Sequence, residues 1–277
     1  MTDKTEEAVE IEDDTERAIL ERAAKLSPKL IYEAIRRDGD EELERTSRAL
    51  LFSGLAAGIL IALSVLGEAI FRTHLPDTPS RYLLENLGYS LGFIAVILGR
   101  MQLFTEHTIT TVLPILSRPS VGLFLNVARV WFVVLSANVV GAFAVAYLMA
   151  HTSAIPGELT PAILELSHHA TGFEPGEAFM RAIPAGVLIA AIVWMLPQAG
   201  DYGFWVILTF TWLIAAGDFT HVVAGTVEMA FLAWSGEIAA GHAVFGFFLP
   251  VLAGNIVGGT AIFGLLAYGQ VMDELRD

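Results

Sequence analysis

Arg100-Met101-Gln102-Leu103-Phe104-Thr105-Glu106-His107 stands in the middle of one long apolar run, and Asp218-Phe219-Thr220-His221 in the middle of another. A hydrocarbon core takes about 20 apolar residues of helix. On that ruler six spans fall near Ala49–Phe71, Leu87–Leu116, Val127–Met149, Phe179–Pro197, Tyr202–Trp234 and His242–Tyr268. The second and fifth are 30 and 33 residues long and carry the polar interruptions. A lipid-facing charge costs about 2.5–3.5 kcal/mol at a span's centre even on insertion scales. A helix broken where it faces a cavity accounts for both the extra length and the polarity. The expected fold class is therefore an all-α integral membrane protein with spans two and five broken.

The rest of the composition agrees. Of 277 residues 55% are hydrophobic and 17% charged, where a soluble domain carries about 25% charge. Nine of the sixteen Lys/Arg and fifteen of the thirty Asp/Glu lie in the first 48 residues. Residues 1–48 thus read as an acidic cytoplasmic tail with short helices, 49–271 as the membrane domain and 272–277 as a cytoplasmic end. In the tail, Ser27-Pro28 reads as a helix start and Asp38-Gly39 as a stop. Leu26, Leu30, Ile31, Ala34 and Ile35 make a stripe suited to packing on the membrane domain. No cleavable signal peptide is visible. The net charge of −14 disfavours a nucleic-acid partner. With no cysteine, disulfides and thiolate metal sites are excluded, and no metal or cofactor is expected. Arg36, Arg37, Arg45, Arg48, Arg118, Arg129 and Arg276 fall on one side, against Arg72 and Arg81 on the other. That bias predicts cytoplasmic termini.

The two halves repeat. Gly58-Ile59-Leu60-Ile61-Ala62 answers Gly186-Val187-Leu188-Ile189-Ala190, Phe104-Thr105 answers Phe219-Thr220, and Asn138-Val139-Val140-Gly141 answers Asn255-Ile256-Val257-Gly258. From Thr to Asn is 33 residues in one half and 35 in the other. Three spans per repeat is odd, so the halves insert oppositely and form a 3+3 inverted repeat whose breaks meet near the midplane. Each resumed half-helix turns its N-terminus and unpaired N–H groups toward that point, which favours an anion. The Asn-x-x-Gly pairs read as close-packing sites whose amide bonds a neighbouring backbone.

These residues resemble the formate/nitrite transporter family, through Leu103-Phe104-Thr105, Phe219-Thr220-His221 and, most specifically, the stretch Leu249-Pro250-Val251-Leu252-Ala253-Gly254-Asn255-Ile256-Val257-Gly258-Gly259. The likeness covers roughly residues 27–270. It implies an aquaporin-like fold, a homopentamer in the lipid bilayer of a prokaryotic inner membrane, and passage of small monovalent anions such as formate, nitrite, lactate or hydrosulfide. It further implies that Thr105 and His221 sit between hydrophobic slits lined by Tyr89, Phe93, Leu103 and Ile214, and that His221 gives the anion a proton. Phe104, Phe219, Thr220, Arg100, Glu106 and Asp218 complete the candidate pore set. The chain departs from the family pattern at Arg100-Met101-Gln102, at Thr220, at Asp218 in a usual glycine's place and at Gly225 in place of an Asn, and lacks the vestibule lysine. It looks like a divergent branch.

Bland readings stand beside these. Thr105 serves as a helix cap, as a pore contact, or as both. Arg100 and Glu106, with Asp218, form an ion pair bracing the break, or Arg100 faces the path and selects anions. Arg181 snorkels to the interface. His151, His168 and His169 read as solvated loop residues, and their spacing with Glu165 fits no metal motif. The rival functions are a non-conducting regulatory membrane protein and a channel for another solute. Nothing assembles an enzyme's acid, base and nucleophile.

Overall fold

The computed structural model describes residues 26–275, and among these every regular element is helical. Helix α1 (Pro28–Glu44) precedes the membrane domain. The first span is α2 (Ser47–His74). The second is split into α3 (Arg81–Leu98), α4 (Phe104–Thr110) and a short α5 (Leu113–Ser117). The third is α6 (Val121–His151), followed by α7 (Thr160–Thr171). The fourth is α8 (Pro175–Ala199). The fifth is split into α9 (Gly203–Ala216) and α10 (Val222–Ser235), and the sixth is α11 (His242–Val271). The six crossings stand where hydropathy puts them, and the second and fifth are interrupted.

The two breaks are built alike, bond for bond. At the first, Gly99 N–H donates to Ala95 O, Arg100 N–H to Ile97 O and Met101 N–H to Val96 O. At the second, Gly217 donates to Leu213 O, Asp218 to Ala215 O and Phe219 to Ile214 O. Arg100 and Asp218 correspond and are the only non-glycine residues of positive φ among those described, at 51° and 52°. Such a conformation costs on the order of 1–3 kcal/mol. This register corrects the sequence one. Leu103, not Phe104, opens α4 as its N-cap (φ −102°, ψ 123°), and its mate is His221, the N-cap of α10 (φ −119°, ψ 126°). Phe104-Thr105 therefore does not superpose on Phe219-Thr220. The repeat preserves backbone bonding at the break, and side chains on it have drifted by three positions.

Each break is held by an asparagine. Asn138 Oδ1 accepts from Phe104 N–H at 2.9 Å, while its Nδ2 donates to Gly54 O and Gln102 O. Asn255 Oδ1 accepts from Val222 N–H at 2.8 Å, and its Nδ2 donates to Ala182 O and Thr220 O. Both are fully buried. In the bilayer no water can replace these partners, so each amide side chain substitutes for the helix turn that the break removes. It follows that the first N–H of each half-helix, that of Phe104 and that of Val222, is not open to an anion, because Asn138 and Asn255 occupy them. Gly58 and Gly186 permit this, because the backbones of Asn138 and Asn255 lie directly against their Cα atoms.

Helix α1 starts at the Ser27 cap, whose hydroxyl accepts from Leu30 N–H. It does not stop at Asp38-Gly39. The helix runs on to Glu44, and Gly39 is there because the backbone of Thr110 packs where its side chain would stand. Ile31, Tyr32 and Ile35 bury against Ile109, Leu113, Ala190, Val193 and Val271. Leu26 and Leu30, the other end of the expected stripe, are exposed. Tyr32 hydroxyl bonds Ser117 Oγ at 2.8 Å, Arg118 pairs with Asp40, and Arg129 donates to Leu43 O and Arg45 O. The α1 side is called proximal below and the opposite side distal. Arg276 and residues 1–25 lie outside the described residues. On the distal side the supposed loop between spans three and four is largely α7, packed against α10 and the first span.

Candidate functional site

Two cavities enter the membrane domain from opposite sides and stop short of one another. The distal one, of about 350 Å³, is lined by Glu68, Tyr89, Asp218, His221, Glu228 and Phe247 among others. The proximal one, of about 670 Å³, reaches Arg100, Gln102, Leu103, Glu106 and His107 beneath α1. Thr105 lines neither and is fully buried between them.

The two breaks bring Thr105 and His221 together: Thr105 Oγ1 and His221 Nε2 are 2.8 Å apart, in buried surroundings. His221 Nδ1 accepts the N–H of Ala224, capping α10. A nitrogen that accepts carries no proton, so a neutral His221 bears its proton on Nε2 and donates it to Thr105 Oγ1. The threonine hydroxyl then keeps its own hydrogen free for an acceptor in the path. Thr105 is thus not a helix cap; Leu103 holds that position and Asn138 does the capping. His221 meets a geometric obstacle as the proton donor that the resemblance implies. To hold a second proton it must give up the Ala224 cap.

Phe93 packs edge-on against His221, ring centres 4.9 Å apart, and Tyr89 packs on Phe93 at 5.1 Å. Tyr89 lines the distal cavity and Leu103 the proximal one. Phe93, Leu103 and Ile214 are fully buried, which suits apolar constrictions, although Ile214 reaches neither cavity. Phe104 is set edge-on against Trp131 at 5.6 Å and also reaches neither cavity. Thr220 hydroxyl donates to Ala178 O at 2.9 Å, a bond that fastens the second break to α8. Phe219 lines the distal cavity. At Gly225 the Phe247 ring fills the space a side chain would take, with Cε1 3.0 Å from a would-be Cβ.

The expected brace of Arg100 with Glu106 and Asp218 does not form. Arg100 is exposed in the proximal cavity and makes no ion pair among the described residues. Asp218, its mate by symmetry, opens to the distal side instead and pairs with His169 Nε2 at 2.8 Å. Inverted symmetry makes this unavoidable, since matched positions on the two breaks face opposite solutions. Arg181 does not snorkel freely: it pairs with Glu177 at 2.8 Å, lies 4.3 Å over the Phe173 ring and donates to Asp218 O at 3.4 Å. His168 and His169 sit on α7, and His169 lines the vestibule. No group of three or more metal-ligating side chains occurs among the described residues.

Among the residues outside the sequence candidates that line the distal cavity are two carboxylates with no ion pair to a described residue, Glu68 on α2 and Glu228 on α10. Both are carboxylates inside apolar spans, and that signal alone marks intramembrane residues as functional candidates.

The formate/nitrite transporter family model matches residues 29–269. The chain is 42% identical to the inner membrane protein YfdC of Escherichia coli over 89% of this chain and 80% of that protein. It is 28% identical to the formate channel FocA of Haemophilus influenzae, over 77% of this chain and 83% of that protein. A solved pentameric formate channel with formate bound superposes with a TM-score of 0.71 at 22% identity, covering 82% of this chain and 97% of that one.

Proposed function

The chain belongs to the formate/nitrite transporter family, and on that premise we propose that it conducts a small monovalent anion between its two cavities, past Thr105 and His221. The family is one of transporters, and the chain is a transport protein rather than an enzyme. The observation that carries the reading is the buried Thr105–His221 hydrogen bond at the point where the two breaks meet. It leaves one hydroxyl hydrogen facing the path, in a gap too dry for a hydrated ion. An anion sheds its water there at a large cost. A small acid that carries its charge as an O–H, or an anion that accepts from Thr105, crosses at less. Phe93 and Leu103 exclude water on either side, and Tyr89 walls the distal entrance. Arg100 stands at the proximal mouth with no ion pair among the described residues, beside Asp38, Glu41, Glu42 and Glu106, and offsets part of their negative charge there.

The panel that tests this reading is formate, nitrite, acetate, lactate, hydrosulfide and a neutral solute, followed in proteoliposomes. Uptake of one or more of the small anions well above empty vesicles is expected. Equal leakage of every solute, or none of any, removes the anion reading, and the latter favours a non-conducting regulator.

We place α1 and both termini in the cytoplasm of a prokaryotic cell. Arg36, Arg37, Arg45, Arg118 and Arg129 gather on the proximal side, and the relative in Escherichia coli is an inner membrane protein. The assembly proposed is a homopentamer with one path per protomer, supported by the likeness to a pentameric channel fold. Large apolar side chains on the outside of α6, among them Phe124, Leu125 and Phe132, are exposed in the single protomer, as a face turned to lipid or to a neighbour requires. Native mass spectrometry in mild detergent is expected to give five chains; a stable monomer, dimer or tetramer rules the pentamer out.

A further inference from the structure

Five carboxylates line the distal cavity: Glu68, Glu85, Glu165, Asp218 and Glu228. Three of them are matched. Glu85 is held by Arg72 at 2.6 Å and by Arg81 at 3.5 Å, Glu165 by Arg72 at 3.3 Å, and Asp218 by His169 at 2.8 Å. Glu68 and Glu228 are buried, at 5% and 6% exposure, and unlike the equally buried Glu85 neither makes a hydrogen bond or ion pair to another described residue. Arg72, four residues on from Glu68 in the same helix, acts on it through space but spends its ion pairs on Glu85 and Glu165. Tyr82, Tyr89 and His221 are the other titratable neighbours in the cavity, none of which bonds Glu68 or Glu228. Elsewhere on the packed elements, Glu158 faces His74 and His151 stacks on Tyr147 and Trp234, away from this pair.

Their place matters as much as their isolation. Glu228 follows His221 by seven residues, two helical turns, and so lies on the same face of α10 about 10 Å nearer the distal solution. Glu68 enters the same space from the first span. An anion descending this cavity passes both before it reaches His221. Two ionised carboxylates there would repel it. The geometry of His221, whose Nδ1 is committed to the Ala224 cap, leaves the proton for a neutral acid to be found elsewhere.

We propose that Glu68 and Glu228 are the proton-loading site of the distal vestibule. The inference rests on the anion reading above. The O–H bond of a carboxyl group breaks as a new O–H bond forms on the anion, so the glutamate is left as carboxylate and the solute as neutral acid. Water in the cavity returns a proton from the distal solution to the glutamate. The neutral acid then passes Tyr89, Phe93 and the Thr105 hydroxyl. Each anion taken up from the distal side brings one proton with it. The same two carboxylates, when unprotonated, close this entrance to anions.

The test uses the full-length protein in vesicles loaded with a pH-sensitive dye, with formate as the probe and the distal pH stepped through roughly pH 5–7. Wild-type uptake is expected to rise as the distal pH falls and to acidify the lumen by one proton per formate. Glu68→Gln/Glu228→Gln keeps shape and hydrogen-bonding capacity but holds no exchangeable acid. Its uptake at the acid end should drop to the neutral-pH level, and the co-transported proton should disappear. Melting temperature and native mass report whether the double variant is folded; if it is not, the two single variants, each expected to blunt the acid stimulation, decide. A folded double variant with the wild-type pH profile and stoichiometry overturns the inference and leaves the anion reading standing. Wild-type vesicles that pass no anion overturn both.

Discussion

Replacing Gly58 or Gly186 by valine is expected to prevent the membrane domain from folding. A Cβ at Gly58 would stand 2.9 Å from both Cα and C of Asn138, and one at Gly186 would stand 3.0 Å from the same atoms of Asn255. Those neighbours are backbone and cannot rotate away. Forcing the helices apart costs about 1–3 kcal/mol for overpacking alone. It also pulls each asparagine from its three bonds, and every buried polar group left unpaired adds about 1–3 kcal/mol. The sum is comparable with the whole stability of an ordinary domain. The damage lands on the break itself, because Asn138 and Asn255 span the carbonyl before it and the N–H after it. Size-exclusion profiles and thermal melts of detergent-solubilised protein measure the effect. Gly122→Val and Gly176→Val are the controls, since a Cβ at either meets nothing within 4 Å. A Gly186→Val protein that melts with the wild type would show that the break is not held in this way.

His221→Asn carries the second large effect, on transport instead of folding. Asparagine is a good N-cap, and its Oδ1 can accept the Ala224 N–H as His221 Nδ1 does now. It is too short to reach Thr105. The variant should therefore fold and assemble, but lose the bond that turns the Thr105 hydroxyl toward the path. Loss of one such bond, about 1–1.5 kcal/mol, corresponds to roughly tenfold in rate. Formate flux is expected to fall by about that factor while its dependence on distal pH persists, because the proton is loaded at Glu68 and Glu228. His221→Ala is a poorer probe, leaving both a void and an uncapped N–H. Unchanged flux in the asparagine variant would reduce His221 to a structural cap. A flux that loses its pH dependence in this variant alone would move the proton back to His221.

Much of this protein was legible in one dimension. Six apolar runs set the crossings, and the excess length of the second and fifth, with Arg100 to His107 and Asp218 to His221 at their middles, set the breaks. Asn138 and Asn255 were readable as amides bonding a backbone, since a polar side chain in a span must find a partner. These are properties of local hydropathy, length and hydrogen-bonding capacity, which a chain carries in any conformation. What required tertiary structure is which partner each group meets. The repeat's true register pairs Leu103 with His221 and Arg100 with Asp218, because the fold preserves carbonyl and N–H positions, to which side-chain identity is a poor guide. Asp38-Gly39 resembles a stop, yet α1 continues because Thr110 packs against the glycine and repays the loss of helix propensity. Arg100, Glu106 and Asp218 carry charges that suit an ion pair, and inversion sends Arg100 and Asp218 to opposite solutions. Glu68 and Glu228 are 160 positions apart in sequence, and only the packing of the first span beside α10 places both above His221 in one cavity.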